Sequence, residues 1–341
     1  MKASNMNNIL VVNVNWLGDA IFSTPVFKAL KKAYPDARVT CLAVPRVKEV
    51  LERCSYIDEI MVYEDKGEHW YPWGKLNLIL ALRRRKFDAA LLLHRSATRA
   101  LLVFLAGIPV RIGYGIKKLS PFLTRQVPVE DGIHRMDEYL KIVQALDIPT
   151  EGTYELEVSA DEIKAMEGTL AGYGINPGDY LVVINAGGNW DLKRWPPERF
   201  GQLTGRLVKD FRVKVVIPGA EKDVALAQSI ARQSGVDPVI LAGSTGLNAL
   251  MTLLKRADCV ISNDSGPLHL AASLGTDVIG LFGPTRPEIT GPRGRGRAVV
   301  MHTDVGCNKA PCYHLSCSFN ACMHALTVDD VYKAFQTIRN S

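Results

Sequence analysis

The residues best suited to chemistry stand in one run, Asn263-Asp264-Ser265-Gly266-Pro267-Leu268-His269. The apolar stretch before it, 258–262, reads as a buried strand, and the amphipathic run 268–274 reads as a helix. A strand that turns into a helix through Asp-Ser-Gly presents backbone N–H groups and the positive end of the helix dipole. Both suit a phosphate or pyrophosphate. Gly266 lets a ligand approach the backbone closely, and Pro267 suits the first helical position. The same residues also fit a capped turn that binds nothing.

Other strand ends offer compatible groups. Asp19 follows the first apolar run, at the carboxyl end of a strand where open parallel sheets place ligands. Its carboxylate can take a proton from an acceptor hydroxyl or merely cap its helix. Lys193 lies in the run 185–196, whose small residues form a loop after a strand. There it supplies a point charge for a phosphate leaving group, or is an ordinary exposed lysine beside a Trp-Pro helix start. Glu221, after Gly219-Ala220, can bind a ribose hydroxyl or cap a helix, and the loop 280–285 ends another strand nearby. With the 263–269 run, the ends at Lys193, Glu221 and 280–285 make four on one edge of one domain and point to a nucleotide-diphosphate site.

The elements that must hold these residues alternate. In the first half, strands are expected at 8–14, 38–44, 59–62 and 89–93, with helices opening at Asp19 and covering 47–54, 76–85 and 134–146. After 111–114 the pattern loosens into a basic, Pro-containing stretch, and 150–159 reads as a linker. The second half has strands at 180–185, 214–218, 239–241, 259–262 and 277–282, with helices at 197–209, 221–233 and 247–256. This is α/β patterning with parallel sheets covered on both faces, and two such halves suggest a cleft between them.

Taken together, these motifs carry a resemblance. Trp16-Leu17-Gly18-Asp19-Ala20 with Thr24-Pro25, then Lys193-Arg194-Trp195-Pro196, Gly219-Ala220-Glu221, the 263–269 run and Phe282-Gly283-Pro284-Thr285 occur in this order. The combination resembles the family nine glycosyltransferases, the ADP-heptose:lipopolysaccharide heptosyltransferases, over almost the whole chain. The resemblance implies a GT-B fold of two Rossmann-like domains with parallel sheets facing a central cleft. The acceptor-binding domain would span 1–155 and the nucleotide-sugar domain 156–326, with a C-terminal helix, 327–340, packing back on the first. It implies inverting, metal-independent transfer of heptose from ADP-heptose to a phosphorylated lipid A–core acceptor, without a cofactor. Asp19 would be the base and Lys193 the phosphate partner. Glu221 and Thr245 would lie beside the nucleoside, and Asp264, Ser265, Gly266 and His269 around the diphosphate and sugar. Gly188 and Asn189 would line the donor loop, where some heptosyltransferases carry hydroxyl residues instead. A family member with another sugar nucleotide or acceptor, and a non-catalytic nucleotide-binding module, are the alternatives. A Rossmann dehydrogenase is disfavoured because no Gly-x-Gly-x-x-Gly follows the first strand.

For the acceptor, Gly18, Arg46, Arg95, Arg99 and Lys117 are candidates, among a basic set that includes Arg111, Lys118 and Arg125. Such a surface suits a phosphorylated, carboxylate-bearing lipid, and equally an ordinary solvated face. Cys307, Cys312, Cys317 and Cys322 recur every five residues, a spacing compatible with metal binding but lacking C-x-x-C pairs, whereas Cys41, Cys54 and Cys259 read as core. With 341 residues, 47% hydrophobic and 22% charged, the chain has room for two soluble domains. A net charge of +6 does not argue for nucleic acid. The N-terminal apolar run is too short for a signal peptide and 100–110 too short for a membrane span. A cytoplasmic protein with transient contact to the inner-membrane surface is therefore expected.

Overall fold

Ile9, Leu10, Val11 and Val12 are all fully buried, as are Leu181 to Ile184 in the second half of the chain. Strands apolar on both faces need helices above and below, and that is the parallel α/β arrangement. The structure, a computed structural model, describes residues 6–307, 312, 317 and 319–340. It divides into two units, Met1–Glu157 and Val158–Ser341.

The first unit holds strands β1 (Asn8–Val12), β2 (Arg38–Ala43), β3 (Glu59–Val62), β4 (Ala89–Leu92), β5 (Val110–Tyr114) and β6 (Arg125–Val127). They form one sheet in the order β3-β2-β1-β4-β5-β6, with every pairing parallel. The second unit holds β7 (Leu181–Asn185), β8 (Lys214–Ile217), β9 (Val239–Ile240), β10 (Cys259–Asn263), β11 (Asp277–Phe282) and β12 (Ala298–His302). Their order, β12-β11-β10-β7-β8-β9, is again wholly parallel. Both sheets are Rossmann-like. Each has one point where strand order reverses, between β1 and β4 in the first and between β7 and β10 in the second. Loops leaving the strands there diverge and open a crevice at their carboxyl ends.

The helix Leu17–Ala33, which carries Asp19, contains Pro25 in its interior. Proline lacks the N–H that would bond the carbonyl of Ile21 one turn back. The hydroxyl of Thr24 donates to that carbonyl at 2.9 Å, and Thr24 is fully buried. The Thr24-Pro25 pair is thus internally consistent: one residue removes a donor and its neighbour restores it.

Several elements are hidden in the sequence pattern. The helix Ala97–Leu105 lies inside a stretch that reads only as a long apolar run. The helix Ala160–Ala171 follows the expected linker directly, opening with a capping box in which Ser159, the linker's last residue, and Glu162 exchange hydrogen bonds. Edge strands β6 and β12 are short or half exposed. The C-terminal helix Val328–Asn340 contributes Val331, Phe335 and Ile338 to the second unit's core, with Trp195 and Phe200. Among the described residues no helix is long and apolar enough to cross a membrane.

The Thr24–Ile21 bond generates a test. Thr24→Val keeps the side-chain shape but leaves a buried carbonyl unpaired, so urea denaturation should show a loss of about 1–3 kcal/mol. A loss near zero would mean that the hydroxyl does not compensate for Pro25.

Candidate active site

At the switch point of the second unit, the loops after β7 and β10 are tied together. Asn263, the last residue of β10, accepts from the Trp195 backbone N–H at 3.0 Å and donates to the Ala186 carbonyl at 2.8 Å. Trp195 is itself buried, and its indole N–H donates to the Leu326 carbonyl at 2.9 Å. The loop 186–195 is therefore pinned at both ends, and Lys193 projects from its 3-10 turn (Asp191–Lys193). Its ammonium meets Asp264 Oδ2 at 2.6 Å. The Thr285 hydroxyl donates to the same oxygen at 2.6 Å, and His269 Nε2 lies 3.3 Å from Asp264 Oδ1. Burial alone would raise the Asp264 pKa. The His269 hydrogen bond and the Lys193 charge outweigh it and hold the carboxyl below its usual range, so it stays ionised.

Ser265 precedes the eight-residue helix Gly266–Ser273, and its hydroxyl accepts from Asn185 Nδ2 at 2.9 Å. Asn185 also donates to Ser262 Oγ at 2.8 Å, joining the ends of β7 and β10. A fixed lysine, two hydroxyls and a helix N-terminus thus converge at this edge. An ammonium has three donors and the bond to Asp264 uses one, so the group retains capacity for an anion.

The remaining donor candidates surround this cluster less tightly. The Gly188 carbonyl accepts from the Arg194 guanidinium, at 2.5 Å from Nη2, and Asn189 Oδ1 accepts from Lys222 Nζ at 2.8 Å. Glu221 opens a 3-10 turn after β8. Its carboxylate lies over Gly243 (φ +80°), where a Cβ would approach it to 2.6 Å. Thr245, two residues on, donates to the Leu241 carbonyl at 3.3 Å. Glu221 and Thr245 therefore lie on the loops that end β8 and β9, and a side chain at Gly243 would clash with the Glu221 carboxylate and with Val224.

In the first unit, Asp19 lies in the first turn of its helix, where the dipole favours a carboxylate. Tyr139, from the helix Arg135–Gln144, donates to Asp19 Oδ1 at 3.1 Å, and Arg135 Nε is 3.8 Å from that oxygen. Burial first, and the Asp19 charge second, push the Tyr139 phenol well above its ordinary pKa, so it remains a donor. Below them Glu138 is buried and accepts from both Arg95 and Arg135. Neither Tyr139 nor Glu138 was singled out by sequence reasoning. Their signal is weak, since both sit within an ordinary amphipathic helix.

The acceptor candidates divide. Gly18 is in the first helical turn beside Asp19, and Lys117 is exposed. Arg46 pairs with Asp65 at 2.8 Å and lies over the exposed Trp16 ring at 5.7 Å. Arg95, held by Glu138, also lies 4.7 Å from the Tyr114 ring centroid. Arg99 is corrected from a surface cation to an internal strut. It is 3% exposed and donates to the Asn13 carbonyl and to Asn15 Oδ1, each at 2.6 Å. It shapes the loop that leads from β1 into Asp19. His94, at the end of β4, was missed altogether. Its signal is a titratable residue directly after an apolar strand.

The cysteines also separate. Cys41, Cys54 and Cys259 are buried, and burial pushes the Cys41 and Cys54 thiols up to about 12. Cys307 and Cys317 are exposed, and Cys312 and Cys322 are half-buried. Among the described residues no group of three or more His, Cys, Asp or Glu side chains is placed to hold a metal ion.

With this geometry in hand, known proteins offer a comparison. The family model described as Glycosyltransferase family 9 (heptosyltransferase) matches residues 75–322. Lipopolysaccharide heptosyltransferase 2 of Escherichia coli strain K12 is 26% identical over 315 residues, covering 86% of this chain and 87% of that protein. The crystal structure of a family 9 glycosyl transferase from Veillonella parvula superposes with a TM-score of 0.89 at 25% identity, covering 99% of this chain and 98% of that one. The structure of E. coli ADP-heptose lps heptosyltransferase II gives a TM-score of 0.79 at 23% identity, with 97% and 98% covered. The fold class is accordingly GT-B.

His94 supplies a test of the first unit's crevice. Burial, followed by the charges of Arg99 and Lys118, lowers its pKa from 6.5 to about 4. The unfolded chain therefore binds the proton first, and stability falls as pH drops through that window. Between neutral pH and pH 4, urea denaturation should show the native protein losing roughly 2–3 kcal/mol more than His94→Gln. Equal losses would show that His94 is not held neutral.

Proposed function

From the premise that the chain belongs to glycosyltransferase family 9 and is a glycosyltransferase, we propose that it transfers heptose from ADP-heptose to a lipopolysaccharide inner-core acceptor. The observation that carries the donor side is the Lys193–Asp264–Thr285–His269 cluster beside the N-terminus of the helix Gly266–Ser273. The likeness to Lipopolysaccharide heptosyltransferase 2 supports heptose as the sugar and the lipid A–core as its acceptor.

In the proposed step an acceptor hydroxyl attacks the anomeric carbon of the heptose. Its proton passes to the Asp19 carboxylate, the new C–O bond forms, and the bond from the anomeric carbon to the β-phosphate oxygen breaks. One displacement of this kind inverts the anomeric centre. ADP leaves carrying the extra negative charge, which Lys193 and the helix N-terminus neutralise without a divalent cation. Asp264 holds the ammonium where that charge develops. Glu221 and Thr245, on the loops that end β8 and β9, are suited to the nucleoside. Gly188 and Asn189 bring backbone and a side-chain amide to the donor loop. Among the acceptor candidates, Arg46, Arg95 and Lys117 offer cations to phosphate groups. Transient contact with the inner-membrane surface on the cytoplasmic side follows from a lipid acceptor.

Two experiments test this reading. Asp19→Asn should reduce transfer by about 10²–10⁴-fold, the range of a lost general base, while calorimetric titration finds ADP binding within about twofold of the native protein. Full activity in that variant would remove Asp19 from the base role, and tighter binding of a UDP-sugar than of ADP-heptose would overturn the donor. Tyr139→Phe removes the hydroxyl that orients Asp19, so kcat should fall by about tenfold while ADP binding stays within about twofold of the native protein. An unchanged kcat would show that the phenol does not position this carboxylate.

A further inference from the structure

The first unit exposes large apolar side chains in one short stretch. Trp70 is 67% exposed, Tyr71 50%, Trp73 63% and Leu76 55%, and the rings of Tyr71 and Trp73 stack at 5.0 Å. The helix Pro72–Arg84 buries Gly74, Leu78 and Leu82 against the unit. A second apolar stripe, Trp73, Leu76 and Leu80, runs at spacings of three and four along the exposed side and ends in exposed Arg83 and Arg84. A helix with one apolar face in the core needs no second one for folding. The neighbouring helix Ala97–Leu105 extends this surface: Leu101, Phe104 and Leu105 are also exposed, and Arg83 donates to the Leu105 carbonyl at 2.8 Å.

Charge decides what such a surface suits. Between residues 72 and 118 the exposed cations are Arg83, Arg84, Lys86, Lys117 and Lys118, Arg99 being buried and Arg85 and Arg95 paired with Glu59 and Glu138; the one carboxylate of this stretch is Asp88, and Glu64 and Glu68 lie exposed just before it. Asp88 is occupied by the backbone amides of Asn7 and Asn8. Trp and Tyr prefer the boundary between water and hydrocarbon, and a basic rim is complementary to anionic lipid headgroups. We propose that the surface formed by Trp70, Tyr71, Trp73, Leu76 and Leu80, with Arg83 and Arg84 at its edge, docks the protein on an anionic lipid bilayer. The inference rests on the proposed lipid acceptor only for why the enzyme would need a membrane; the surface itself stands on exposure and charge.

Sedimentation of the full chain with phosphatidylcholine vesicles, with and without phosphatidylglycerol, tests the proposal. The native protein should bind the phosphatidylglycerol vesicles, and binding should weaken as salt rises. The double variants Trp73→Ser/Leu76→Ser and Arg83→Glu/Arg84→Glu should each bind about tenfold more weakly or worse. Both should keep the native circular dichroism and the native turnover on a water-soluble, deacylated acceptor. Absence of vesicle binding by the native protein, or equal binding by both variants, overturns the proposal. So does a solution dimer that the apolar variant dissociates, since the surface would then belong to a second copy. Vesicle binding is read without donor or transfer, so failure of the heptosyl reading would leave this result standing, and the two failures are distinguishable.

Discussion

The second unit depends on keeping one buried carboxylate ionised. Asp264 is 4% exposed, and a charge removed from water at that depth must be repaid by close partners. Lys193, Thr285 and His269 come from three different strand-end segments and meet on its two oxygens. The carboxylate therefore assembles the site as well as surviving in it: each partner is drawn to a fixed position before any ligand arrives. Such preorganisation is what lets a charge act on a leaving group without reorganising at the moment of reaction. Asn263 and the buried Trp195 do the corresponding work for the backbone, tying the Lys193 loop to the end of β10.

The first unit meets a similar demand with other groups. Asp19 is only partly buried and needs orientation more than rescue. Tyr139 and Arg135 provide it from a neighbouring helix, and Glu138 anchors that arrangement by accepting from two arginines. Arg99 fixes the approach to Asp19 through Asn13 and Asn15. A basic residue that looks like a ligand contact in the sequence is thus a strut in the fold, because a guanidinium with five donors can satisfy several orphan acceptors at once. The Thr24-Pro25 pair belongs to the same logic: the threonine hydroxyl serves the Ile21 carbonyl that the proline leaves without its helical donor.

Much of the fold was legible because it depends on short-range pattern. The runs 9–12, 181–184 and 259–261 are apolar throughout, as strands covered on both faces must be, and 247–256 and 277–282 have the bounds that periodicity indicates. Elements without a clean period were not legible. The helix Ala97–Leu105 is apolar on its exposed side as well as its buried one, so no alternation announces it. Strand β6, Arg125-Gln126-Val127, is polar and short because it closes the sheet at an edge. The C-terminal helix was amphipathic in sequence, but its partner core could be identified only from three-dimensional packing.

By itself the sequence determined that the chain is a two-part α/β protein, and which strand ends carry Asp19, Lys193, Glu221 and Asp264. Those facts follow from apolar runs and from the turn chemistry that ends them. Only the tertiary structure decided which side chains share a hydrogen bond: Thr285 and Lys193 with Asp264, Tyr139 with Asp19, Arg99 with Asn13 and Asn15. These pairs are separated by 21 to 120 residues along the chain. Sequence spacing carries no information about them, since the register of parallel strands and the packing of helices upon the sheet bring them together.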